Sequence, residues 1–182
     1  MGIMKLGKKT RRRMYETQDL EATFKGLEDP EVFYRVMRDW FEHNGIRMSV
    51  KTGRGPFSKM GTAFSRQLKL PRTWNKLKIW EKAALLAHER VHYRQKKRYG
   101  FARFDAKYVF DPRFIIAMET PAYRENLRAY RAMGATEESL ERYALGVDNT
   151  LWELYPTVRV LDRREVKKHV TRVMKDEIRR PT

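Results

Sequence analysis

Between Trp80 and Gly100 the chain reads WEKAALLAHERVHYRQKKRYG, a segment with an apolar helical stretch and two histidines four residues apart inside it. Ala83, Ala84, Leu85, Leu86, Ala87 and Val91 favour a helix buried against a core, Lys96, Lys97 and Arg98 suit its negative C-terminal end, and Gly100 suits the position that stops it. The fold must therefore be built around a mostly buried helix that carries polar groups. At 3.6 residues per turn and about 1.5 Å rise per residue, His88 and His92 share a face roughly 6 Å apart along the axis. Both imidazoles can then hold one metal ion. Glu89 lies about 100° round from His88, so it need not be a ligand and can instead reach a water on that metal.

Composition sharpens this reading. The chain has no cysteine, which excludes disulfides and thiolate sites and leaves any metal to His, Asp or Glu. Of the four histidines, His43 closes an N-terminal helix and reads as structural, while His169 lies far downstream in a basic segment. A catalytic zinc takes three protein ligands and leaves a fourth position for water. No third histidine follows His92 at short spacing, so a carboxylate must supply the remaining bond, and Glu119 and Glu125 are the nearest helical candidates.

The remaining chain reads as one domain with basic ends. The length of 182 residues and 41% hydrophobic content are ample for a core. Asp29-Pro30 and Asp111-Pro112 are helix starts, and Val32, Phe33, Val36, Met37, Trp40 and Phe41 form a core stripe ending at Asn44-Gly45. Residues 46–52 and 63–70 alternate as strands around the turn chemistry of 53–56, which predicts a small antiparallel sheet ahead of the histidine helix. Residues 101–110 fit either a strand or a short helix. Pro121 should kink or restart the helix that Asp111 opens. Thr136 caps a helix to about Leu145, residues 150–155 add a turn, and a last basic helix carries Val166, Val170, Val173, Met174 and Ile178 on one stripe. The expected fold is α+β and mostly helical, divided into a basic arm at 1–18, the domain proper at 19–162 and a basic C-terminal helix at 163–182.

His88-Glu-Arg-Val-His-Tyr-Arg-Gln95, then Asp105-Ala-Lys-Tyr108, then Met118-Glu-Thr-Pro-Ala-Tyr-Arg-Glu125 resemble the HExxHxxQ and later ExxAY elements of small gluzincin-type zinc metallopeptidases, often encoded by bacteriophages. The likeness spans roughly residues 60–130, and Arg90 departs from the uncharged residue usual at its position. The resemblance implies a zincin-like domain with Zn2+ as cofactor, His88, His92 and Glu119 as ligands and Glu89 as general base. It places Tyr123 in the motif, either stabilising an oxyanion or packing, and leaves Gln95 as an outer partner of the site or a solvated side chain.

The net charge of +17 attracts polyanions or acidic surfaces. Residues 1–13 carry Lys5, Lys8, Lys9, Arg11, Arg12 and Arg13 without an acid, and residues 163–182 carry eight basic side chains against three acids. The functional expectation is hydrolysis of a peptide or protein substrate, with nucleic acid or an acidic protein as a contact of the basic termini. The alternative is a non-enzymatic virion or nucleic-acid-associated protein that keeps the fold for structure. Neither a membrane span nor a secretory signal is legible, so the expected location is cytoplasmic or virion-associated.

Overall fold

A computed structural model describes residues 28–51, 62–64 and 67–180. The arm read at 1–18 and the turn at 53–56 lie outside them. Asp29 accepts a hydrogen bond from the Glu31 amide at 2.8 Å, and Pro30 supplies a preset first helical residue for α1 (Pro30–His43). The stripe predicted for this helix turns inward through Phe33, Met37, Trp40 and Phe41. Gly45, at φ 68°, makes the reversal into β1 (Arg47–Val50), a left-handed backbone that favours glycine.

β2 (Thr62–Phe64) and β3 (Gln67–Leu70) complete a three-stranded sheet in the order β1-β3-β2. The sheet is mixed, which corrects the antiparallel expectation. β1 runs parallel to β3, with Met48 beside Leu68, while β2 runs antiparallel to β3, with Ala63 beside Leu68. A parallel pair needs a connection of a dozen or more residues. Residues 51–66 provide it, and β2 lies within this connection, so the segment read as one strand divides in two.

α2 (Ile79–Tyr99) is the histidine helix; the Glu81 carboxylate accepts from the Lys78 amide at 2.7 Å at its start. Gly100, at φ 83°, joins it to α3 (Phe101–Phe110), so the ambiguous aromatic segment is helical. α4 (Pro112–Ala132) begins where Asp111 accepts from the Phe114 amide and continues through Pro121 without a restart. α5 (Glu137–Leu154) runs past the expected end at Leu145, because Leu140, Ala144, Val147 and Leu151 keep one buried stripe across Gly146. A short 3-10 turn (Pro156–Val160) leads to α6 (Arg163–Ile178), capped by Asp162. The architecture is mainly helical α+β.

The two larger cores flank α2 and α4. One packs α1 and the sheet on Ala83, Ala84, Leu86 and Ala87 of α2. The other joins Ile115, Tyr123 and Leu127 of α4 to α5 and to Val166, Val170 and Met174 of α6. The basic terminal helix thus shares the core of the helices before it. Among the described residues, no helix is long and apolar enough to cross a membrane.

Candidate metal centre

Helical spacing and the packing of α2 on α4 together bring His88, His92 and Glu119 to one point. Nε2 of His88 and Nε2 of His92 are 3.0 Å apart. Glu119 meets them from α4, its Oε1 at 3.0 Å from Nε2 of His92 and its Oε2 at 3.4 Å from Nε2 of His88. All three side chains are buried, and each offers a ligand atom within 4.8 Å of the others. Tetrahedral bonds of the usual 2.0–2.1 Å set ligand atoms about 3.3 Å apart, the scale of these separations. Oε2 of Glu119 accepts no hydrogen bond although it is buried, an arrangement that leaves a lone pair for a cation. This donor set could hold a metal ion.

The groups behind the ligands orient them. Nδ1 of His92 lies 2.9 Å from Oε1 of Gln95, whose amide Nε2 donates to the Met118 carbonyl at 2.9 Å. With its proton on Nδ1 and donated to Gln95, His92 keeps Nε2 as an electron-pair donor. Gln95 therefore ties the histidine helix to the helix of Glu119. Nδ2 of Asn126 sits 3.4 Å from Nδ1 of His88 and donates to the Tyr143 hydroxyl at 2.7 Å. The hydroxyls of Tyr108 and Tyr155 both donate to Oε1 of Glu119, Tyr155 at 2.7 Å. Both phenols act on the oxygen that lies beside His92, and the other oxygen faces His88.

Electrostatics follow from this burial. Burial alone would raise the Glu119 carboxyl, but the His92 and His88 imidazoles outweigh it and hold the group well below the usual carboxylate range. Burial also opposes a charge on His92, yet the Glu119 carboxylate beside it raises that imidazole to about 9. Glu89 is 3% exposed, its Oε2 accepts no hydrogen bond, and burial pushes its carboxyl upward against the pull of both imidazoles. An acid poised upward beside two imidazoles and a second carboxylate is suited to exchanging protons.

Tyr123 follows Glu119 by one turn, and its ring stands edge-on to His88 with centroids 4.9 Å apart. Glu125 is buried away from the triad. Its carboxylate lies 3.8 Å from Arg128, and burial raises it to about 7 against the charges of Arg90, Arg128 and Arg94. Arg90 points from the opposite side of α2, buried with its guanidinium 5.3 Å from the Trp40 ring centre. A charge at that position is thus accommodated away from the ligands. His43 ends α1 and His169 is exposed on α6.

Sequence reasoning gave no role to Tyr108, Asn126, Tyr143 or Tyr155. Asn126 had a readable signal, because 119, 123 and 126 follow the i, i+4, i+7 spacing of one helix face. Tyr155 had none: it reaches Glu119 from 36 residues downstream, beyond the end of α5. Comparison of the chain with protein-family models, with curated proteins and with solved structures found no match.

Proposed function

We propose that the chain is a zinc-dependent metallopeptidase with a gluzincin-like, zincin-type domain, in which His88, His92 and Glu119 hold the ion. The observation that carries this reading is the convergence of two imidazole nitrogens and a buried carboxylate next to a second buried carboxylate, Glu89. Zinc held there would supply Lewis acidity, lowering the pKa of a water toward about 7 and polarising a peptide carbonyl. Glu89 serves as the general base: its carboxylate accepts the proton of the attacking water and returns it to the departing amide nitrogen. Gln95 and Asn126 fix the two imidazole planes, while Tyr108 and Tyr155 hold Glu119 by one oxygen. Tyr123, beside His88, is the residue assigned to the carbonyl oxygen of the substrate as negative charge develops on it.

The test has two parts that fail separately. Metal analysis of purified protein should give one zinc per wild-type chain and none for His88→Ala or His92→Ala. Hydrolysis of unfolded casein should stop with chelator and in Glu89→Gln, which should keep its zinc. A Glu89→Gln protein that still cleaves removes the base assignment. Zinc at full stoichiometry without turnover of any peptide by the wild type leaves a structural metal protein instead.

A further inference from the structure

The outer face of α6 carries a continuous row of cations. At 100° per residue, Arg164, Lys168, Arg172, Lys175 and Arg179 fall within an arc of about 80°, each three or four residues from the next. Arg179 is the C-cap and keeps helical backbone angles. All five are exposed, and they lie almost diametrically opposite the buried seam of Val166, Val170, Met174 and Glu177. At about 1.5 Å per residue the row extends roughly 22 Å. Among the described residues none of the five takes part in an ion pair.

A face that served only for solubility would mix its signs. The outer side of α5 does so, with Glu138 3.8 Å from Arg142 one turn on. On α6 the acids Glu165 and Asp176 lie just beyond one edge of the arc and none falls inside it. The row therefore presents a narrow positive track with an acidic border. Such a track matches a line of phosphates: duplex DNA carries one negative charge per about 1.7 Å of axis, so a row of roughly 22 Å runs beside on the order of a dozen charges. The arc contains no Asn or Gln that could read adenine edges.

We propose that the outer face of α6 is a sequence-independent nucleic-acid contact, docking on the phosphate backbone through Arg164, Lys168, Arg172, Lys175 and Arg179. This contact is independent of the metal centre and is measured without peptidase activity. Five neutralised phosphates would give log K against log salt a slope contribution of up to about −4.5. The test is binding of the full-length chain to a random-sequence DNA duplex over a range of salt concentrations, with folding checked by thermal melting. Lys168→Gln/Arg172→Gln should reduce the magnitude of the slope by about two, and so should Arg164→Gln/Lys175→Gln. Lys97→Gln/Arg98→Gln, exposed at the end of α2, should leave it unchanged. Two further arms, a random-sequence RNA duplex and vesicles containing phosphatidylserine, identify the source of the phosphate. Equal loss of slope in all three variants, no loss in the α6 pairs, or a dependence on α6 seen with vesicles and not with a duplex would each overturn the proposal.

Discussion

Glu119 is wholly buried, touches both histidines, and receives two phenolic hydrogen bonds on one oxygen. If it is a ligand, Glu119→Ala should weaken zinc binding in a chelator competition by more than the roughly 10–100-fold lost with an outer partner. Glu125→Ala should change zinc affinity little, since that carboxylate faces arginines instead; the reverse order would reassign the third bond. Tyr155→Phe removes one hydroxyl without opening a cavity, and should lower zinc affinity by about tenfold through a less firmly held Glu119. An unchanged affinity in that variant would make the Tyr155 contact a matter of packing. At this scale the pair His88 and His92 was legible because helical geometry alone joins them. The partners of Glu119 were not, because their proximity arises from packing between distant segments.

Among the elements, α4 holds the most contradictory local signal. Pro121 has no N–H to give to the Ala117 carbonyl, yet the helix continues on both sides of it. Burial of Met118, Ala122 and Tyr123 around it outweighs a local preference to break. Pro121→Ala should restore the missing hydrogen bond and stabilise the fold by about 1–3 kcal/mol in denaturant titration. A destabilised variant would mean that α4 relies on the proline's shape. Helix starts were readable in detail, since Asp29, Asp111 and Thr136 all cap through their own side chains. Strand pairing was not, because alternation within residues 46–52 and 63–70 gives each strand's faces but not the direction of its partner.

Across the whole molecule, α6 is fastened at its far end by α4. Glu177 is 1% exposed and accepts hydrogen bonds from Arg124 and Arg128, at 2.6 Å for the shortest to each, while Arg131 donates to the carbonyls of Glu177 and Ile178. Burial would raise the Glu177 carboxyl, but these guanidinium bonds outweigh it and hold the group below its ordinary range. With a folded value below the unfolded value of about 4.3, the clamp gives its full stability above that pH and loses it as pH falls through the folded value. Glu177→Gln should thus cost about 2 kcal/mol at neutral pH, less than an orphaned deep charge because Arg124 and Arg128 stay 27% and 22% exposed. Melting curves of the two proteins should draw together below about pH 4; a gap independent of pH would assign the loss to shape alone.

The two imidazoles come from α2, which contributes to the first core, and the carboxylate from α4, which contributes to both. An ion bound by all three would act as a removable rivet between these two helices. By mass action, a free concentration a thousandfold above its dissociation constant adds about 4 kcal/mol to the folded state. Resistance to heat should therefore track the zinc content of the buffer.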